Sequence, residues 1–332
     1  MKSGIRAGRT GLSKTFSLLP HRLSHRRVGK TTVRNMLTAL VFISPWLAGF
    51  LIFTLYPAVA SAYWSFCQYA AMRPPKWIGL SNYTYLVTKD HLFYTALGNT
   101  LYYAAFFIPL STILAIGLAV LLNTRVRGIS FYRALFYVPS IVPLICSAIL
   151  WMWILNPQYG LANAVLRWVG LRPLGWLSSP TWSKPGLLLL GLWAGVGNPM
   201  LIYLAGLLNI PQALYEAADM DGASGLRKFW HITLPLLTPV MFFNIVTIFI
   251  ATFQYFTEAY VMTASPQWGG VPGGPMDSTT FYMLVLYNNA FKYFKLGYAS
   301  AMAWILLVVV LVLTLLLFRS SRTWVHYAEM EA

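Results

Sequence analysis

Six apolar blocks, at about 36–66, 99–122, 134–155, 185–208, 234–263 and 298–318, restrict what this chain can fold into. Each approaches or exceeds the ~20 residues that carry a helix across the hydrocarbon core of a bilayer. No water at that depth satisfies backbone N–H and C=O groups, so runs of this length fold as helices that close their own hydrogen bonds. The composition agrees, with 58% hydrophobic and 10% charged residues, against ~25% charged in an ordinary soluble domain. The segments between blocks are too short to bury cores of their own. The sequence therefore predicts an all-α membrane protein of six transmembrane helices. A basic tail covers 1–35, the membrane domain 36–320, and a short tail 321–332.

Six spans leave both termini on one side. Nine of the 24 Lys and Arg lie in the first 35 residues, which hold no Asp or Glu. If that tail is cytoplasmic, 16 basic residues fall on the inner side and 8 on the outer, as the positive-inside rule requires. The net charge of +16 then belongs to topology and anionic lipid rather than to nucleic acid. The tail also has the Arg-rich, acid-poor character of a transit peptide.

Pro57, Pro109, Pro139 and Pro143 fall inside apolar blocks. Each removes a backbone hydrogen bond, which fits either packing kinks or a path lined by broken helices. Outer connections rich in Trp, Tyr, Pro and Gly read as ordered turns near headgroups. Residues 278–291, carrying Tyr282, Tyr287 and Phe291, read as a short interfacial helix. Cys67 and Cys146 have no metal spacing and form no disulfide framework.

The connection 209–235 stands apart, because it holds three of the eight acids: Glu216, Asp219 and Asp221. Pro211 suits the first turn of a helix, and Glu216, Ala217 and Ala218 favour its continuation. Gly222 allows a bend, Ser224 caps a second short helix, and Leu234-Pro235 marks entry into the next span. The pattern predicts a helix–turn–helix unit on the inner face with an exposed acidic end and an exposed basic end.

Glu216-Ala217-Ala218, three intervening residues, Gly222, nine more residues and then Ile232-x-Leu234-Pro235 resemble the signature loop of binding-protein-dependent ABC permeases. Ile78-Gly79-Leu80-Ser81-Asn82-Tyr83, Gly98-Asn99-Thr100, Arg133-Ala134 with Pro139, and Tyr298-Ala299-Ser300-Ala301 extend the resemblance along the chain. Trp324-Val325-His326-Tyr327 resembles the ending of the first of the paired permeases of the maltose, lactose and glycerol-3-phosphate type. The resemblance implies that Glu216, Ala217, Ala218, Asp219, Asp221, Gly222 and Ala223 insert into a cleft of an ATPase subunit. It also implies a second permease subunit, a cytoplasmic ABC ATPase dimer and an extracytoplasmic solute-binding protein. ATP and Mg would be bound by that partner ATPase, leaving no cofactor in this chain. The expected location is a bacterial or archaeal cytoplasmic membrane, with a sugar or sugar derivative as the solute.

Three rival readings fare worse. Residues 24–31 imitate a phosphate-binding loop, but the first glycine is missing and no strand precedes it. The five histidines, His21, His25, His91, His231 and His326, lie outside the apolar blocks, which disfavours a membrane enzyme. An ion-coupled carrier would have Glu258 as its intramembrane acid, near the outer end of the fifth block.

Asn244, Thr247, Tyr255 and Glu258 fall within about 80° on an ideal helix. Such a stripe either joins helices or faces a cavity. The resemblance places ligand contacts on the spans flanking the signature loop, which brings Asn198, Thr252 and Tyr255 into the expected region. Trp193 and Gly195 neighbour Asn198, and Trp193 and Tyr255 offer aromatic faces to a sugar ring.

Overall fold

A computed structural model describes residues 30–124, 127–263 and 273–326. The basic tail and the phosphate-loop imitation fall almost wholly outside the described residues. The chain divides into two units, 1–58 and 59–332. The first holds α1 (Lys30–Phe50) and the wider π turn Leu51–Leu55, with Trp46 stacked on Phe50. The helix α2 (Tyr56–Ser65) straddles the division.

In the second unit, a hairpin of β1 (Cys67–Ala70) and β2 (Arg73–Trp77) precedes α3 (Ser81–Thr88). The long α4 (His91–Leu122) follows, then α5 (Ile129–Tyr137), α6 (Leu144–Ile154) and α7 (Leu161–Trp168). Next come α8 (Ser183–Gly195), α9 (Gly197–Leu208), α10 (Gln212–Met220), α11 (Gly225–Lys228) and α12 (Leu234–Phe253). Finally α13 (Thr257–Thr263), α14 (Tyr282–Tyr287) and α15 (Leu296–Trp324) complete the described order.

Among the described residues, four helical segments are long and apolar enough to cross a membrane: Leu37–Ser65, His91–Leu122, Gly225–Phe253 and Leu296–Trp324. Two more spans are bent pairs, Ile129–Ser140 with Leu144–Ile154 at 93°, and Ser183–Gly195 with Gly197–Leu208 at 47°. Counting each pair as one span gives the six expected from the apolar blocks. The prolines act unequally. Pro109 sits inside an unbroken α4, whereas Pro139 and Pro143 bracket the 93° break.

The helix α4 is the shared post of the second unit. Its N-terminal end carries Phe93 and Ala96 into a cluster with Phe253, Tyr282 and Met302. Its middle carries Tyr103 against Leu187, Leu190, Tyr255 and Phe281. Its C-terminal end sets Ala115 and Ala119 against Met200, Tyr203 and Leu237 of α9 and α12. Ile113, Leu121, Leu311 and Leu315 stay exposed, as lipid-facing positions do. Asp90 caps α4 by accepting from the backbone of Leu92 and Phe93, and it also receives the Tyr298 hydroxyl from α15.

Two connecting segments differ from the sequence expectation. The turn-rich stretch after the first span is a two-stranded antiparallel hairpin, with Cys67 opposite Trp77 and an irregularity between Gln68 and Ala70. Asn82 holds it by donating to the carbonyls of Ser65 and Cys67 at 2.8 and 3.0 Å. Gly297 lets α15 approach β1 so closely that a Cβ there would collide with the Cys67 carbonyl. The segment 278–291 is largely packed into protein rather than laid on a surface: Thr279, Phe281, Tyr282 and Leu284 are fully buried, and Phe291 is exposed. Asn99 is the reason, since its amide donates to the carbonyls of Asp277 and Thr280 at 2.8 and 2.9 Å and draws this backbone inward. Thr100 accepts from the Tyr282 N–H, and the Tyr282 hydroxyl donates to the Met302 carbonyl. The segment thus wedges between α4 and α15, held by these bonds, with the buried Thr279 hydroxyl left unpartnered among the described residues.

Candidate functional site

The unit over 209–235 folds as a helix, a turn and a second short helix. The first helix, α10, closes with Ala223 N–H on the Ala218 carbonyl (2.9 Å) and Gly222 N–H on the Asp219 carbonyl (3.0 Å). That pair is the Schellman arrangement, which needs a left-handed residue just past the helix end, and Gly222 supplies it at φ +71°. The Ser224 side chain accepts from Arg227 N–H to cap α11. The acidic and basic ends are not left apart, because Lys228 reaches across the turn to Asp219 at 2.6 Å. Glu216 accepts from Gln212 one turn earlier, and Tyr215 meets Thr233 at 2.9 Å. Leu214, Met220 and Leu226 are exposed on this unit.

The geometry that matters most is how this unit is attached. The helix α9 runs into it from Asn198, and α11, the π turn Phe229–Thr233 and α12 run out of it as one segment, Gly225–Phe253. At 1.5 Å per residue the outgoing segment is roughly 40 Å long. Its far end and the far end of α9 meet in a cavity of about 490 Å³, within the size range of small-molecule sites, ~300–1,000 Å³.

Four aromatic side chains and a set of polar ones line that cavity. Tyr103 and Phe107 come from α4, Tyr255 and Phe256 from the interruption after α12. Tyr103 and Tyr255 stack at 4.3 Å between centroids, and Tyr103 stacks on Phe107 at 5.3 Å. Ser140 and Pro139 enter from the break between α5 and α6, where Ser140 donates to the Ala194 carbonyl at 2.8 Å and ties the break to α8. Gly191 and Gly195 let α8 pack directly on Tyr103 and Phe107, since a Cβ at Gly191 would collide with the Tyr103 hydroxyl. Asn198, Thr252, Gln254, Thr257 and Glu258 complete the polar lining.

Of the residues expected along a path, Gly195, Asn198, Thr252 and Tyr255 line the cavity, and Trp193 and Asn244 do not. Trp193 turns outward onto Trp151, with centroids 6.0 Å apart. Asn244 is buried and donates to the Val240 carbonyl of its own helix. The proposed polar stripe fails for a related reason. The helix α12 ends at Phe253 and the chain is not helical at Tyr255 and Phe256, so Tyr255 and Glu258 leave the register of Asn244 and Thr247. Thr247 and Thr252 donate to carbonyls one turn back, Phe243 and Ile248.

Sequence reasoning missed Tyr103, Phe107, Ser140 and Gln254 as lining residues. Only the proline pair around Ser140 signalled a break at that depth. It also missed Asn99 as a clamp, although Gly98-Asn99-Thr100 carries part of the resemblance. Cys67 is buried and Cys146 exposed, both as free thiols, and no cluster of metal-ligating side chains occurs among the described residues.

Comparison with known proteins bears on this architecture directly. Residues 108–324 match the family described as "Binding-protein-dependent transport system inner membrane component". The chain is 43% identical over 300 residues to the "Probable ABC transporter permease protein YesP" of Bacillus subtilis (strain 168), covering 90% of this chain and 94% of that protein. It is 34% identical over 283 residues to the "Arabinooligosaccharides transport system permease protein AraP" of the same organism, covering 85% and 87%. Its fold is similar to a chain in the crystal structure of a bacterial alginate ABC transporter in complex with an alginate pentasaccharide-bound periplasmic protein. That match has a TM-score of 0.77 at 24% identity, over 90% of this chain and 98% of the other. The signature loop, the spans that flank it and this match over most of the membrane domain lead to one conclusion: the chain belongs to the inner-membrane components of binding-protein-dependent transport systems.

Proposed function

We propose that this chain is one permease half of an ATP-driven importer of a saccharide, with residues 36–320 as its membrane domain. A second permease subunit completes the path, an external solute-binding protein delivers the solute, and a cytoplasmic ATPase dimer binds ATP and Mg. The observation that carries this reading is the continuity between loop and cavity. A unit with exposed apolar tips, Leu214, Met220 and Leu226, is joined by two helices to the polar, aromatic-lined cavity, so a push on the unit moves two walls of the cavity. Glu216, Ala217, Ala218, Asp219, Asp221, Gly222 and Ala223 form the docking element for the ATPase. Stacked phenols and hydroxyl or amide groups suit a sugar, which presents hydroxyl edges and C–H faces together. The names of AraP and of the alginate transporter support a saccharide. Reconstituted with its partners, the complex is expected to take up solute only when ATP is supplied inside. Uptake driven by a proton or sodium gradient without ATP would overturn the reading.

In this reading both termini are cytoplasmic, the hairpin faces outward and the Gly222 turn faces inward. Met72 at the hairpin tip and Met220 beside the turn are both highly exposed, so they make clean reporters. A cysteine at Met72 is expected to react with an impermeant reagent added outside intact cells, and one at Met220 only after permeabilisation. The reverse pattern would invert the topology.

Asn198, exposed in the cavity wall, is expected to matter more than Thr252, whose hydroxyl is committed to Ile248. Losing one hydrogen bond to a solute costs about 0.5–1.5 kcal/mol, so Asn198→Ala should weaken apparent affinity several-fold at unchanged complex abundance. Thr252→Ala should change it less. Tyr255→Ala should reduce both affinity and assembled complex, since its ring also packs on Tyr103 and Phe281. Uptake kinetics normalised to assembled complex read all three, and unchanged kinetics throughout would leave solute selection to the external binding protein.

A further inference from the structure

We propose that Glu258 makes the cavity selective by charge, admitting neutral and cationic solutes and excluding anionic ones such as uronates. The inference rests on reading the cavity as the solute path. Glu258 is the one charged side chain among the described residues that line it. It stands in the first turn of α13, just after the non-helical stretch that turns the chain across the cavity. No Lys, Arg or His pairs with it among the described residues, where the ion pair present is Lys228 with Asp219. It shares the cavity lining with Tyr103 and Tyr255, which form the stacked wall. A charge on the low-dielectric walls of a cleft focuses its field into the space between them, where potentials reach several kT. The neighbouring Gln254 and Thr257 are uncharged and leave that field standing. A carboxylate on the solute would meet repulsion here, whereas a hydroxyl donates to Glu258 and an ammonium pairs with it. The bacterial ABC transporter of similar fold is involved in the import of the acidic polysaccharide alginate, so an anion-excluding cavity would separate this chain from that transporter in solute class.

The test uses small charged solutes and does not require the natural substrate. In the assembled complex, Cys146→Ser removes the exposed native thiol, and Ala251→Cys or Thr257→Cys places a reporter in the cavity wall. Each reporter is treated with methanethiosulfonate reagents of similar size carrying either trimethylammonium or sulfonate, with rates normalised to a free thiol. The cation is expected to react faster than the anion. Glu258→Gln should lower that preference roughly five-fold or more, and Glu258→Asp should retain most of it. A preference unaltered by Glu258→Gln overturns the proposal, and so does a lack of reaction with both reagents at both reporters. A parallel uptake assay compares a neutral oligosaccharide with a uronate oligosaccharide of equal length. Faster relative uptake of the uronate in Glu258→Gln supports the proposal. If neither sugar is transported while the reagent preference still follows Glu258, the saccharide assignment fails and the charge selection stands.

Discussion

Asn99→Ala is expected to lower the thermal stability of the purified chain more than any other single polar truncation around the N-terminal end of α4. Asn99 is buried and makes three contacts at once. Its amide nitrogen donates to the Asp277 and Thr280 carbonyls, and its oxygen accepts from Lys184 Nζ at 2.8 Å. Alanine leaves two backbone carbonyls and a cation without these partners, each at a cost of about 1 kcal/mol or more. The backbone it holds is strained, with Met276 and Asp277 at φ +53° and +56°, a conformation that persists only where surroundings over-determine it. Without the clamp the segment through Tyr282 loses its hold between α4 and α15. A loss of roughly 3 kcal/mol is therefore expected, visible as a lower melting point in detergent and less assembled complex. Asn99→Asp separates the contributions, because it retains an acceptor for Lys184 and loses the donor to both carbonyls. Its melting point should fall between parent and alanine. Equal melting of the alanine variant and the parent would show that the clamp holds nothing.

What was legible in the sequence divides by the range of the interactions. Six spans follow from apolar length, which is a property of each segment by itself. The helix–turn–helix was legible as well, because Pro211, Gly222 and Ser224 act on backbone within a few residues of themselves. The burial of 278–291 was not legible. It depends on Asn99, nearly 180 residues away in sequence, and a stretch carrying Tyr282 and Tyr287 has the composition of an interfacial helix until that partner is known. The same limit explains the stripe. A projection through Asn244, Thr247, Tyr255 and Glu258 assumes an unbroken helix, and Gln254–Phe256 contains no glycine or proline to announce the break. Trp193 was misplaced because an aromatic one turn from the cavity suits the cavity wall and the stack with Trp151 equally well.

The cavity also shows why recognition and mechanics lie in one part of the chain. Asn198 and Thr252 stand near the far ends of the two helices that leave the Gly222 unit, so in the proposed importer the elements that would contact solute are also the ones that would carry motion. Pro139, Ser140 and the glycines of α8 supply the opposing wall. Helix α4, packed in all three clusters, is the element against which such motion is measured. A rigid post beside two connected levers is sufficient for a displacement at the turn to alter the space around Tyr103.

Gly222→Val should abolish ATP-driven uptake while leaving insertion intact, and the cause is conformational rather than steric. A Cβ at this position would meet nothing within 4 Å, but the backbone sits at φ +71°. The left-handed region costs an ordinary L-residue roughly 1–2 kcal/mol, and a β-branched side chain is the least tolerant of it. To escape, the turn must give up the Gly222 and Ala223 bonds that close α10, which would re-aim α11 and strain the Lys228–Asp219 bridge. The spans lie elsewhere and keep their apolar content, so protein in the membrane should match the parent. The series separates strain from bulk, since asparagine tolerates the left-handed region better than alanine or valine. Uptake is therefore expected in the order Gly, Asn, Ala, Val, with valine below about a tenth of parent, since ~1.4 kcal/mol is a factor of ten. If bulk at an ATPase contact governed instead, alanine would outperform asparagine. Valine with parental uptake would remove the Gly222 turn from the coupling mechanism altogether.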